Sequence, residues 1–523
     1  MRKIIIMFIL LYGTSSLWAQ DYKYIEYINE QVMQTEKYQK GNDYQKDFLL
    51  LMDLLKMTHP AFTPTIRQPF DAESITNKGY KHLESCINLI DFQFFVSSQL
   101  VPLKDGHTFI TLFHEDDTKI IFPFRVWLEE DKLYLQVVEK EHETALGKQI
   151  ISINEFPIVD IFSNFGKVLV AENDYFLRNQ VTEWMLSPKI WKYIYKNNND
   201  SLIHLTFYDG TSIDIKAKNR SDIKDVVFVE QKSQNSGITH HKSVPFSFTI
   251  LEKERLAYLE FNKCEDQNSV RWYYENLGYI DESGNFPPEL EEQIQQYPKF
   301  DTLLLSMFNE IRLKEISTLI VDVKNNGGGN SELCRQLLSY LIPNIENIKE
   351  SNSFIRISDF FIKYYPQLYD FLCKIYPKKL ETGKLYSNDD FSTEEKTIKD
   401  KYFKMNSDSS LVFKGRTIFI QGKKTYSSAG DLLIEARDNK TGMIIGEKST
   451  YKPCNYGDIL FWKLPNTETT GGISHKYFTR PDESKCNEDY LAPDVYIPTT
   501  FEDYKNGIDP CWEWVKKNYL HKY

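Results

Sequence analysis

Apolar positions recur along the chain in two rhythms, and the rhythm changes twice. Between residues 21 and 100 they fall three and four apart, as in KDFLLLMDLLKMTHPAF and GYKHLESCINLIDFQFFVSSQL, the spacing that gathers them on one helix face. The helical stretch ends at VPLKDGHTFITLF, where Lys104-Asp105-Gly106 makes a turn into an alternating strand and His107 sits at the junction. Residues 120–215 form short runs instead: IFPFRVWLEEDKLYLQVVE, ALGKQIISINEFPIVDIF and SLIHLTFYDGTSIDIKA. Their Val, Ile, Phe and Tyr content, broken at Asp-Gly and Leu-Gly, predicts a small β-rich module. A stretch of mixed charge with Ser, Asn and Gln follows at about 219–244 and reads as a linker.

From residue 245 strands and helices alternate. RLAYLEF, STLIVDV, RTIFIQG and TGMIIGE read as strands, NSELCRQLLSYL and AGDLLIEARD as helices. That alternation implies βαβ units and a mostly parallel sheet. The interval at about 342–411 is aromatic and Lys-rich, helical in SDFFIKYYPQLYDFLCKIY, and interrupts the rhythm as a lid or groove wall would. The predicted organisation is therefore a helical region at 20–119 carrying His107, a module at 120–218, a linker at 219–244, and an α/β domain at 245–523 with an insertion at about 342–411.

The first 19 residues stand apart. MRKIIIMFILLYGTSSLWAQ has early cations, an apolar run from Ile4 to Tyr12 and small or polar residues before Ala19, which predicts a signal peptide and export to the periplasm or the outside. The apolar run is shorter than the roughly 20 residues a spanning helix needs, so no stable membrane insertion is expected. With 523 residues the chain is too long for one core, and a net charge of −11 excludes a nucleic-acid footprint. Seven cysteines without a CxxC pair support neither a zinc knuckle nor a thioredoxin-type site. Export permits disulfides, and Cys454–Cys486 is a conceivable pair.

Two strand-to-helix turns carry candidate chemistry. In LIVDVKNNGGGNSEL a buried strand ends at Asp322, and three glycines precede a helix, so backbone N–H groups can converge there as an oxyanion site requires. Neither GxGxxG nor GxxxxGK[ST] occurs, so nucleotide binding is unsupported. TYSSAGD occupies the equivalent position after RTIFIQG, where either serine could cap the helix or act as a nucleophile. GxSxG is absent, which excludes the α/β-hydrolase arrangement.

LIVDVKNNGGGN, TYSSAGDLLIEARDNKTGMIIGEKS, YGDILFWKLPNT and LAPDVYIPTTFEDYKNGIDP together resemble the C-terminal-processing serine peptidase family, which includes the tail-specific and tricorn proteases, and its secreted bacterial branch above all. THPAF, LKDGHT and LGKQIISINEFPI extend the resemblance over most of the chain. It implies an α/β architecture with a crotonase-like (ββα superhelix) peptidase core, a PDZ-like module at 120–218, a polypeptide substrate, and no metal or organic cofactor. By position Ser427 matches the nucleophile, and Ser428 and Gly328 would supply oxyanion N–H groups. The family uses either a Ser–Lys dyad, for which Lys452 is placed, or a histidine triad, for which His107 is placed. His107 is favoured, because histidine titrates near neutrality whereas Lys452 would have to be desolvated. The family's acidic residue lies just before the PD of LAPDV. Here KCNEDYLAPDV makes Glu488 the nearest candidate and Asp489 the next, one residue out of register. Gly430 also departs from the dyad pattern, with Asp431 following it, and Lys324 and Asn325 stand where glycine and arginine are common. The alternative function is a catalytically inactive peptide- or ligand-binding protein on the same fold, since that fold also serves a retinoid-binding protein.

Overall fold

Strands in the C-terminal half alternate their faces, and the alternation decides what covers them. Leu319 and Val321 of Thr318–Asp322 pack in one core with the helices Phe300–Leu313, Ser331–Leu338 and Ser428–Asp438. Ile320, together with Ile418, Ile420 and Ile445, packs on the other side against Trp512 and Val515 of the helix Pro510–Val515. The computed structural model describes residues 23–520 apart from 65, 67–70, 113–118, 197–200, 233–237, 239, 242, 282 and 392–400. The expected signal peptide at 1–19 lies outside the described residues.

The strands Leu256–Phe261, Thr318–Asp322, Arg416–Gln421, Met443–Gly446 and Val495–Tyr496 run parallel in sequence order, with Phe246–Leu251 antiparallel at one edge. Asp322 pairs with Ile420, so the turns leaving these two strands emerge side by side at the carboxyl edge, the usual seat of α/β sites. The parallel strands and the two turn-borne helices lie where the apolar pattern predicts them.

A second sheet joins distant parts of the chain. The hairpin strands Asn455–Lys463 and Thr470–Thr479 are flanked by Ile25–Glu26 on one side and by Asn352–Arg356 and Leu385–Ser387 on the other. Phe109–Ile110 pairs with Gly471 and Gly472 of the same hairpin. The 342–411 interval thus contributes two strands to this sheet as well as the helices Asp359–Tyr364 and Pro366–Ile375. The N-terminal helix Asp43–Thr58, capped by the reciprocal Asn42–Gln45 pair, docks on the hairpin through buried Asp47. Asp47 accepts from Asn466 Nδ2 at 2.7 Å and Thr467 N at 2.6 Å.

The middle of the chain is an antiparallel seven-stranded sheet. It is less purely β than the sequence suggests, for the helices Ile158–Phe165, Asp174–Trp184 and Pro188–Tyr195 lie between its strands. Ile158, Ile161, Phe162 and Phe165 are all buried, and their three- and four-residue spacing prevails over the strand preference of β-branched side chains. The 219–244 stretch adds Val226–Phe228 to this sheet, beside Lys132–Glu139, instead of running free.

Cys454 and Cys486 form a disulfide across 32 residues. Closing a loop of that length stabilises the fold by about 3–4 kcal/mol. Cys486→Ser should therefore lower the midpoint of denaturant unfolding by a corresponding amount under oxidising conditions. An unchanged midpoint would show that the bridge constrains nothing that unfolds cooperatively.

Candidate active site

The two strand-to-helix turns are stitched together by hydrogen bonds. Thr425 Oγ1 donates to the Val323 carbonyl at 2.8 Å, Tyr426 N to Asn326 O at 3.1 Å, and Ser428 Oγ to Gly329 O at 2.8 Å. Asn326 is fully buried and anchors the glycine loop by donating from Nδ2 to Phe261 O at 2.9 Å. These bonds separate the two serines. The Ser428 hydroxyl is spent on the glycine loop, whereas the Ser427 hydroxyl neither caps the helix nor has another partner among the described residues. Ser427 also holds a left-handed backbone (φ 52°, ψ −131°), an uncommon conformation for a residue with a side chain and one that clusters at functional turns.

The glycine loop departs from expectation in one respect. The Gly328 amide donates to Asn326 Oδ1 at 2.8 Å, so it is occupied in this arrangement. Gly328 instead serves by lacking a side chain. With φ at +103°, a Cβ there would lie 2.7 Å from Ser427 Cβ and 3.1 Å from Ser428 N. The Ser428 amide opens the helix Ser428–Asp438, and like the Gly329 amide it has no partner among the described residues.

His107 reaches this edge from the N-terminal region. Its amide donates to Asp105 Oδ1 at 2.9 Å, and the following Thr108 Oγ1 accepts from Ser474 N at 3.0 Å. The fully buried Asp105 also accepts from Ser474 Oγ at 2.7 Å and from His59 Nε2 at 3.0 Å. His59 Nδ1 accepts from Ala61 N at 3.1 Å, which places the His59 proton on Nε2 and fixes that direction. Burial alone would raise the Asp105 carboxyl, but hydrogen bonds from His107 and His59 and the positive charge favoured on His107 hold it well below the carboxylate range.

Three polar groups surround His107 Nδ1. Asp105 Oδ1 lies at 3.7 Å, Glu172 Oε1 at 3.6 Å and the Tyr426 hydroxyl at 3.3 Å. Tyr426 stacks on the imidazole with ring centroids 4.9 Å apart, and its hydroxyl donates to Glu172 Oε1. Burial opposes protonation of His107, but Asp105 and Glu172 push its pKa up to about 10. Nε2 has no partner among the described residues. On the helix Ser428–Asp438, burial pushes Asp431 up to about 7 despite a 2.9 Å bond from Tyr451. Gly430 admits that tyrosine, since a Cβ there would lie 2.1 Å from Tyr451 Cδ1.

The remaining sequence candidates fall elsewhere. Glu488 is exposed and pairs at 2.8 Å with the buried Arg480, which also holds Asp438 at 2.7 Å. Its carboxylate is thus committed away from His107. Asp489, also exposed, meets this region through its carbonyl, which accepts from Asn173 Nδ2 at 2.9 Å. Lys452 likewise enters by its main chain, donating from N to Glu172 Oε2 at 3.0 Å. Lys324 lies between Asp322 at 3.0 Å and Asp509, whose charges hold the ammonium well above its ordinary pKa against burial. Glu172 and His59 are the residues that sequence reasoning missed. THPAF drew attention to its segment without giving His59 a role, and Glu172 precedes the helix cap Asn173 with no motif to mark it. Asp105, His107 and Glu172 offer ligand atoms within 4.8 Å of one another, as a metal site would. Both carboxylates already receive protein donors.

Residues 293–497 match the model of a known family, described as peptidase family S41. No curated protein matches the sequence. Among solved structures, mature CPAF matches with a TM-score of 0.58 and 14% identity, covering 92% of this chain and 97% of that one. Mature CPAF complexed with lactacystin matches with a TM-score of 0.57 and 14% identity, over 92% and 98%. At such identity these likenesses speak for the fold alone.

Gly328→Ala should destabilise the protein by about 1–3 kcal/mol, the cost of forcing a side chain into a packed site. It should also slow fluorophosphonate labelling of Ser427. Labelling at the wild-type rate would show that the close approach of the two turns is dispensable.

Proposed function

Because residues 293–497 place the chain in peptidase family S41, a family of serine hydrolases, we propose that it cleaves polypeptides through an acyl-enzyme on Ser427. The observation that carries this reading is the Ser427 hydroxyl, held on a strained turn at a helix start and left without a partner while its neighbour is engaged. In this mechanism Ser427 Oγ attacks the scissile carbonyl, and its proton passes to His107 Nε2, the imidazole nitrogen turned away from the carboxylates. The same proton then goes to the leaving amine, and water repeats the sequence to release the acid product. The Ser428 N–H and an amide of the glycine loop receive the oxyanion. Gly328 takes part directly if Asn326 releases it, and otherwise the unbonded Gly329 amide does.

The finer architecture belongs to the same proposal. The parallel sheet with its helices is the crotonase-like core, and the middle sheet is the PDZ-like module, whose edge strand Ser212–Lys216 could accept an extended peptide by strand addition. We propose export to the periplasm or the outside, supported by the N-terminal segment and by the Cys454–Cys486 disulfide. Among the described residues no helix is long and apolar enough to cross a membrane.

Two measurements test the reading. A fluorophosphonate should label the wild-type protein and not Ser427→Ala, and fluorescein-labelled casein should be cleaved only by the former. Against the same substrate, His107→Ala should lose far more turnover than Lys452→Ala. Labelling that survives Ser427→Ala would defeat the mechanism, and the reverse order of the two base variants would return the base role to Lys452.

The pH dependence follows from the sign of the His107 shift. The active form of a base is unprotonated, and the surrounding carboxylates favour the protonated one. Activity should therefore fall as pH drops through the raised value, so kcat/KM should climb through neutrality toward pH 10. A plateau already reached at pH 7 would contradict the charge environment described.

A further inference from the structure

The base of a serine hydrolase needs a group to fix its orientation, and the C-terminal acids do not face His107. The structure offers a different connection. Tyr426 Oη donates its proton to Glu172 Oε1, which leaves the phenol oxygen free to accept from His107 Nδ1–H at 3.3 Å. Glu172 Oε1 itself stands 3.6 Å from Nδ1, beyond hydrogen-bonding reach, so the hydroxyl is the nearer link. We propose that Tyr426 and Glu172 are the positioning residues of His107, in a chain running from Nδ1–H to the phenol oxygen and from the phenol proton to the carboxylate.

Each member is itself held. Glu172 is 2% exposed, and its second oxygen accepts from Lys452 N at 3.0 Å. The Tyr426 ring lies between His107 and Phe176, with centroids 4.9 and 5.1 Å away and interplanar angles of 25° and 26°. Gly106 makes room for the hydroxyl, because a Cβ there would come within 2.4 Å of it. Since Tyr426 directly precedes Ser427, the residue that aims the base is tied by one peptide bond to the nucleophile. Burial and the neighbouring carboxylates keep the phenol protonated, so it stays a donor to Glu172 throughout the cycle. When Nε2 takes the serine proton, the positive imidazolium faces Glu172 through a neutral hydroxyl, and no proton has to leave Nδ1.

The arrangement also gives the middle sheet a part in catalysis. Glu172 and Phe176 flank the start of the helix Asp174–Trp184, so that helix and its cap complete a site whose nucleophile lies more than two hundred residues away. The ionisable groups around His107 are Asp105 on its own turn, Glu172 on this segment and Tyr426 on the nucleophile turn. The charges of Asp431 on the nucleophile helix and Asp458 on the hairpin also act on it.

This inference rests on the reading of Ser427 and His107 above, and its test separates the two. With fluorescein-labelled casein at a pH above the acidic limb, Glu172→Gln and Tyr426→Phe should each lower kcat, by on the order of 10²-fold, with KM little changed. Glu172→Gln should also move the acidic limb of the kcat/KM profile to lower pH, because a charge favouring the imidazolium is gone. Glu488→Gln should keep wild-type kcat and profile. If Glu172→Gln fails to fold, as judged by thermal unfolding, Tyr426→Phe decides alone, for it keeps the stacked ring and removes only the hydroxyl. Wild-type kcat and an unmoved pH limb in the folded variants, alongside an inactive His107→Ala, would overturn the positioning role and leave the peptidase reading intact. An active His107→Ala would overturn both.

Discussion

Asp105 lies wholly inside the protein, and three donors from three stretches of chain converge on its carboxylate: His59 Nε2, Ser474 Oγ and the His107 amide. A buried charge is tolerated only when its hydrogen bonds are made, and breaking one such pair typically costs about 3–5 kcal/mol. The N-terminal helices, the C-terminal hairpin and the His107 turn are therefore held in one mutual position or the carboxylate is left unsatisfied. The pairing of Phe109–Ile110 with Gly471 and Gly472 continues the same connection as backbone hydrogen bonds. His107 is aimed by this junction, although it lies 320 residues before Ser427.

The number of donors that each carboxyl receives sorts the charges around the site. Asp105 has three and is held ionised, while Asp431 has one side-chain donor, from Tyr451, and is pushed up to about 7. Glu435, further along the same helix, accepts from Ser351 N at 2.9 Å, and burial pushes it up to about 8. Near neutrality protons thus favour the helix Ser428–Asp438, and the negative charge gathers at His107. That arrangement favours an imidazolium, the species that the proposed proton transfer from Ser427 would form, at the expense of a ready base in the resting protein.

Much of the C-terminal half is legible in the sequence because its signals are local. Buried apolar runs, helices at regular spacing and the two glycine- and serine-bearing turns lie within a few residues of their own cues. TYSSAGD and KDGHT likewise mark the turns of Ser427 and His107 by local residues. What escapes is whatever only the assembled fold brings together. Glu172 gains its surroundings from Tyr426 and Lys452, some two hundred and fifty residues on, and nothing beside it announces them. Glu488 fails for the converse reason: a sequence position points to it, but its carboxylate meets Arg480 first. The helix Ile158–Phe165 was hidden by residues that favour strands, and the tertiary core decided otherwise.

Buried carboxylates fix His107 in place and favour its protonated form at rest. Selective labelling of histidine with ¹⁵N, with the His107 signal assigned by its loss in His107→Gln, would follow its protonation directly in the absence of substrate. Imidazolium shifts are expected through neutrality, with a titration near pH 10. A titration near the ordinary value of 6.5 would contradict it.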